Sequence, residues 1–191
     1  RREDLHPIIQ TAVLHAQFEM IHPFLDGNGR MGRLLITLFL ASKKILHTPC
    51  LYISAYLQRH RGAYYASLAK ISKNNDWNTW ISFFLRAVVE HSKANASLLM
   101  KMTDLYEISK TQFAEATNSS LAMELLDYLF AQPIFTVPNL INQTKVKASK
   151  ATLLLAVQKL EKAGLVTKIS EGRGRRPTVW KFGALVDLIQ D

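Results

Sequence analysis

The 191-residue chain holds a single cysteine, Cys50, so neither an internal disulfide framework nor a multi-cysteine zinc site can be built from it. That scarcity fits a reducing compartment, and a cytoplasmic location is expected; Cys50 itself reads as a small buried apolar residue. Long hydrophobic runs are missing too. Stretches such as Leu34 to Ala41 fall far short of the roughly 20 residues that span a bilayer, and no signal-peptide pattern appears. The chain opens Arg1-Arg2-Glu3-Asp4 without a methionine, so upstream sequence is expected to be missing. Acidic residues are scarce, with 15 Asp and Glu against 24 Lys and Arg, and the deficit is uneven. Between Gln143 and Lys181, ten Lys and Arg face only Glu161 and Glu171. That cluster makes nucleic acid a candidate partner of the C-terminal part. A hydrophobic content of 48% lets the chain bury one good core or two modest ones.

What is present reads mainly as helix. Pro7 suits a first helical turn, and Ile8, Ile9, Ala12, Val13, Ala16, Met20 and Ile21 recur as one apolar stripe up to His22. Pro23, Gly27 and Gly29 interrupt helical geometry before an apolar helix resumes through Leu34, Leu35, Leu38, Phe39 and Ala41. Further helices are predicted over Ser54 to Ser72 and Trp77 to Met102, the second capped by Asn75-Asp76, with Trp77, Trp80, Phe83 and Phe84 as core. The polar stretch from Gln112 to Ser120 marks a domain boundary, giving domains 1–117 and 118–191. Beyond it the pattern predicts helix (Leu121 to Ala131), a short extended piece (Ile134 to Thr136), and helices over Pro138 to Gln143 and Lys150 to Ala163. Strands Leu165 to Ile169 and Thr178 to Phe182 follow.

Chemistry concentrates in one loop, His22-Pro23-Phe24-Leu25-Asp26-Gly27-Asn28-Gly29-Arg30-Met31-Gly32-Arg33. Its glycines let backbone N–H groups approach an anion, and the following helix points its positive end there. Arg30 and Arg33, three apart, can reach one side and chelate phosphate oxygens. A carboxylate such as Asp26 beside phosphates is suited to hold Mg²⁺. His22 is a residue type that can take a proton from a hydroxyl near neutral pH. Gly27, Gly29 and Gly32 also spell the dinucleotide fingerprint G-x-G-x-x-G, but the strand that must precede it and the βαβ unit around it are absent from the pattern. A zinc site from His22 and Asp26 lacks a third ligand and meets two arginines. A purely structural turn with capping arginines stays open for the cluster.

These twelve residues resemble the signature of Fic-domain proteins, H-P-F-x-[D/E]-G-N-G-R-x-x-R, at every specified position. The likeness runs from about Leu5 through Tyr106 and includes Leu51 to Tyr56 and Arg61-Gly62-Ala63-Tyr64-Tyr65. It implies a Fic-type helical bundle, of which this chain has the catalytic half, and transfer of AMP from ATP to a Ser, Thr or Tyr hydroxyl of a protein. By that resemblance His22 would be the base, Asp26 would hold Mg²⁺, and Gly27, Asn28 and Gly29 would form the anion hole. Arg30 and Arg33 would position the phosphates, with Met31 and Gly32 in the same nucleotide-binding turn, and Phe24 would anchor the loop in the core. Gly29 stands where the phosphate-transferring branch has lysine, which favours nucleotidyl transfer. Relatives often have asparagine where this chain has His60, a candidate contact to the base. The relatives' inhibitory pattern [S/T]-x-x-x-E-[G/N] is met only in part by Ser120 to Glu124 and Thr103 to Glu107, which read as ordinary helix. Self-modification and a homodimer are compatible with this reading.

The order from Leu121 to Phe182 resembles a winged helix-turn-helix domain, with Lys150 to Ala163 as recognition helix. Ser149 and Lys150 at its start, and Arg173, Arg175 and Arg176 in the wing, would be the DNA contacts. Winged helices also serve protein contacts, so a docking module remains the alternative. The same holds for a silent catalytic half or another nucleotide donor.

Overall fold

The computed structural model describes residues 5–46, 48, 51, 53–143, 148–174 and 176–190. These are mainly helical, and the chain divides into two compact units, Arg1–Ala96 and Ser97–Asp191. Cys50 and Arg175 lie outside the described residues. No helix among the described residues is long and apolar enough to cross a membrane.

In the first unit α1 (Pro7–Ile21) packs against α2 (Asn28–Ser42). Its buried face is Thr11, Ala12, His15 and Ala16, whereas Ile21, expected inward, is 73% exposed. Hydropathy displaces the stripe because the true contact face includes two polar residues whose hydrogen bonds are met internally. The Thr11 hydroxyl donates to Pro7 O at 2.7 Å, and His15 is bonded at both ring nitrogens. The single helix expected over Ser54 to Ser72 is two, α3 (Ser54–Arg59) and α4 (Arg61–Asn74), hinged at His60 with φ −107°. Asp76 caps the next helix as expected, its Oδ1 accepting the Thr79 N–H at 3.0 Å. That helix, α5 (Trp77–Thr117), runs well past the predicted end at Met102. Neither glycine nor proline occurs in it, and polarity alone does not stop a helix. The core of this unit gathers Ala12, Ala16, Ile36, Leu40, Trp80 and Phe84, with the Trp80 indole N–H donating to Ala12 O at 2.8 Å.

The second unit takes in the C-terminal part of α5, whose Phe113 joins Leu125, Leu129, Leu153, Leu160 and Phe182 in its core. The division between units therefore falls inside α5, while Thr117, where sequence places the boundary, is that helix's last residue. Then follow α6 (Ala122–Ala131), β1 (Ile134–Phe135), α7 (Val137–Gln143), α8 (Lys150–Lys162), β2 (Thr167–Ser170), β3 (Val179–Lys181) and α9 (Gly183–Gln190). The strands form an antiparallel sheet in the order β1-β3-β2, with Phe135 opposite Trp180 and Lys168 opposite the same residue. Sequence does not anticipate α9, a short helix held by Leu185 in the core. Thr103 to Glu107 lies inside α5 and Ala122 to Glu124 opens α6, ordinary helix in both cases.

Candidate active site

The twelve-residue loop joins α1 to α2, and its shape comes from three local devices. At the end of α1, His22 turns left-handed (φ 48°, ψ 57°) while its N–H still donates to Phe18 O at 3.0 Å. Asn28 then closes the turn: the Phe24 N–H donates to Asn28 Oδ1 at 2.9 Å, and Asn28 Nδ2 donates to Phe24 O at 2.5 Å. With Asn28 only 2% exposed, this amide is the loop's anchor. Phe24, expected to anchor it in the core, is instead half exposed, its ring 6.2 Å from that of Phe18. Last, Gly27 sits at the N-cap of α2 with φ 81°, a conformation that favours glycine.

The first turn of α2 has no side-chain cap at Gly27. The first bond into the helix runs from the Met31 N–H to Gly27 O at 3.0 Å, so the N–H groups of Asn28, Gly29 and Arg30 precede the helical ladder. The Met31 N–H is thereby committed to the helix. Arg30 and Asp26 stand beside that turn in solvent, 3.4 Å apart, the Asp26 side chain 93% exposed with Oδ1 accepting the Gly27 N–H at 2.6 Å. Arg33 is half-buried on the next turn and lines an open pocket of about 480 Å³ with Ser54, Gln58, Arg61, Tyr64 and Tyr65. Arg61 lies over the Tyr65 ring, 5.6 Å from its centroid.

His22, Asp26, Gly27, Asn28, Gly29, Arg30 and Arg33 are thus brought together by one loop and the first two turns of α2. His60 does not line the Arg33 pocket; its ring packs 4.3 Å from that of Tyr56, at the hinge between α3 and α4. Gly32 faces α1 rather than the loop. A Cβ there would collide with Glu19 Oε1 and lie 3.2 Å from His15 Cε1.

Behind the loop is a polar cluster that sequence reasoning missed. His15 Nδ1 is 2.9 Å from Gly32 O and its Nε2 is 3.1 Å from the Tyr64 hydroxyl. Burial lowers the His15 ring to about 4, against the Gly32 hydrogen bond, with the Arg33 charge adding to the fall. Burial also pushes Tyr64 above the ordinary phenol range, with Glu19 and Tyr65 adding to the rise and Arg33 opposing it. Glu19 is raised by burial as well, against the pull of His22 first and Arg33 second. The signal for this cluster was available: an acidic residue one turn before His22, on the helix face that meets a glycine.

In the second unit, Ser149 caps α8, its hydroxyl accepting the Thr152 N–H at 3.1 Å. Lys150, Arg173 and Arg176 are exposed and have no acidic partner among the described residues. By contrast Lys168 pairs with Glu161 at 3.5 Å, Lys181 with Asp187 at 3.8 Å, and Lys159 donates to Thr117 O at 2.8 Å. Arg173 and Arg176 bridge across the hairpin tip, whereas Ser149 and Lys150 open α8.

Residues 1–40 match the Fic/DOC family. A protein of Aquifex aeolicus named probable protein adenylyltransferase is 37% identical over 68 residues, covering 33% of this chain and 21% of the relative. Proteins of Caenorhabditis briggsae and Caenorhabditis elegans named protein adenylyltransferase are each 33% identical over 91 residues, 48% of this chain and 16% of the relative. The chain therefore spans about a fifth or less of the length of these relatives.

Proposed function

We propose that the first unit carries the catalytic residues of a protein adenylyltransferase, which joins the AMP part of ATP to a protein hydroxyl. The carrying observation is the junction at His22 to Arg33. There a left-handed histidine, an exposed carboxylate and three N–H groups of an uncapped helix start adjoin two arginines on the first two turns of α2. Residues 1–40 match the Fic/DOC family, and relatives named protein adenylyltransferase are similar over 68 and 91 residues, which supports the reading.

In this reading His22 takes the proton from the target hydroxyl, whose oxygen attacks the α-phosphorus of ATP as pyrophosphate leaves. The N–H groups of Asn28, Gly29 and Arg30 receive phosphate oxygens, with the helix's positive end behind them. Arg30 and Arg33 hold the leaving phosphates, and the pocket beyond Arg33 has room for the rest of the nucleotide. Asp26 is the residue that would hold Mg²⁺, which when bound lends positive charge to the phosphates. The exposed Asp26 carboxylate is a hard oxygen donor of the kind Mg²⁺ takes, and Mg²⁺ would draw its other ligands from phosphates and water.

The test is transfer of label from ATP labelled at the α-phosphate, with Mg²⁺ and cell extract as target, comparing the chain with its His22→Ala variant. Labelled protein that vanishes in the variant is expected; equal labelling in both removes His22 from the chemistry.

A second reading concerns the other unit. Its three-stranded sheet, α8 and the β2–β3 hairpin support a winged helix-turn-helix arrangement. The exposed Lys150, Arg173 and Arg176 favour a polyanion such as DNA as its partner. Fluorescence anisotropy with duplex DNA should show binding that weakens steeply with salt and further in Arg173→Ala/Arg176→Ala. Salt-independent binding, or none, would leave a protein-docking module, in keeping with the exposed Leu154 and Leu155 on α8.

A further inference from the structure

The buried side of α8 is Leu153, Ala156, Val157 and Leu160, which pack into the core of the second unit. Helical periodicity puts Ala151, Leu155 and Gln158 on the opposite side, with Leu154 on its flank. All four are exposed, Leu154 by 38% and Leu155 by 55%. Two partly exposed leucines and an alanine fall well short of the roughly 800 Å² a side that a stable protein interface buries.

What surrounds this face is cationic. Lys150 and Lys162 stand exposed at the two ends of α8, and Arg173 and Arg176 at the hairpin tip; none has an acidic partner among the described residues. The acid within α8, Glu161, is tied to Lys168 at 3.5 Å. The charge therefore complements a polyanion, and the uncharged centre of the face is left to meet what lies between the phosphates.

Base edges in the major groove sort side chains by chemistry. Guanine is met mostly by arginine, adenine by the amide of asparagine or glutamine, and the thymine methyl by apolar groups. No arginine occurs in α8, and Lys159 already donates to Thr117 O at 2.8 Å. Thr152 is engaged by Ser149, through its N–H at 3.1 Å and its hydroxyl at 2.8 Å. What the centre of the face offers a base is thus one amide and a few apolar side chains.

We propose that α8 reads A·T base pairs: Gln158 makes a bidentate contact with adenine N6 and N7, and Leu155 with Ala151 packs on the methyl group of a neighbouring thymine. The proposal rests on the reading of the second unit as a DNA-binding module. Lys150 and the hairpin arginines take phosphates, which sets affinity and register without reading sequence.

The experiment measures anisotropy of the whole chain, Leu155→Ala and Gln158→Ala with three pools of short labelled duplexes. The pools share their flanks, and their central helical turn is random in A·T pairs, in A·U pairs or in G·C pairs. Uracil differs from thymine only by the missing methyl, so the first two pools isolate that contact. The parent chain should bind the A·T pool about threefold or more tighter than the A·U pool, and about fivefold or more tighter than the G·C pool. Leu155→Ala should erase the gap between A·T and A·U while leaving A·U affinity within about twofold, and Gln158→Ala should narrow the gap between A·U and G·C. Both side chains are exposed, so melting followed by circular dichroism should be unchanged, and the comparison of pools on the parent chain needs no variant at all. Equal binding to all three pools overturns the proposal and leaves a sequence-neutral phosphate binder. A preference for A·T that neither uracil nor either variant alters also overturns it, since the discrimination then lies in groove shape met by the hairpin arginines. Binding to none of the pools refutes the DNA reading itself.

Discussion

Replacing Asn28 with aspartate separates two physical rules that give opposite answers. Asn28 occupies the first turn of α2, where a negative charge gains roughly 0.3–1 kcal/mol from the helix dipole. A reading from helix position alone therefore expects Asn28→Asp to be neutral or stabilising. The geometry says otherwise, because the side chain is 2% exposed and its amide is used from both ends on Phe24, accepting at 2.9 Å and donating at 2.5 Å. Two such bonds contribute together roughly 1–3 kcal/mol, which is the loss expected for Asn28→Ala. Aspartate keeps the acceptor half, but it turns the donor into a second acceptor facing Phe24 O and buries a charge. Its deficit should therefore match or exceed that of alanine at pH 7.5. The deficit should also shrink as pH falls and the carboxyl regains a proton to donate. Urea denaturation followed by circular dichroism measures the difference, and hydrogen exchange at the Phe24 amide reports the loop itself. An Asn28→Asp chain as stable as the parent at pH 7.5, with the Phe24 amide still protected, would refute the two-ended clamp.

Three further outcomes are expected. Gly32→Ala gains about 1 kcal/mol of helix propensity, but it forces Glu19 aside and crowds His15 Cε1 at 3.2 Å. Such overpacking costs about 1–3 kcal/mol, so a lower melting temperature is expected, largely restored in Gly32→Ala/Glu19→Ala; a single variant that melts no lower contradicts it. His15 is 1% exposed and its ring is lowered from 6.5 to about 4, so the unfolded chain takes up the proton first. Stability should fall as pH drops from about 6.5 toward 4, by up to about 3 kcal/mol. His15→Gln should flatten that decline in urea midpoints, and an unchanged slope would mean the ring is not buried neutral. Ser149→Ala should destabilise the second unit by about 0.5–2 kcal/mol through loss of the α8 cap. If it weakens DNA binding without changing the melt, Ser149 is a contact rather than a cap.

How legible the molecule is depends on whether the decisive physics is local. The turn at His22, the start of α2, the Asp76 cap and the stop after α8 all follow from residues within a few positions, and sequence places them closely. Where the outcome depends on packing, it does not. Polarity puts the end of α5 near Met102, yet Phe113, fully buried in the second core, holds the helix on to Thr117. No local signal carries that contact, because the residues Phe113 packs against follow later in the chain. The short α9 forms because Leu185 is buried, and an eight-residue helix has little local stability of its own. His60 reads as a contact to the base by its place beside Arg61, but the break between α3 and α4 turns it onto Tyr56. Glu19 escapes notice because a charged residue on an apolar stripe reads as solvent-facing, and only the opposing glycine shows that it points inward.

The same limit explains why G-x-G-x-x-G is a poor witness in this chain. Gly27 is required by a left-handed N-cap at φ 81°, a constraint of the loop. Gly32 is required by the approach of Glu19 and His15 from α1, a constraint of helix packing with no bearing on phosphate. The two causes are independent, and they fall five residues apart because the first inward-facing position after a helix start comes about one turn along. A dinucleotide site would need the third glycine for contact between a helix and a strand. Here the partner is another helix, and what the glycine admits is a carboxylate. The spacing is shared with that fold, but the forces that produce it are not, so the motif's meaning has to be taken from what each glycine touches.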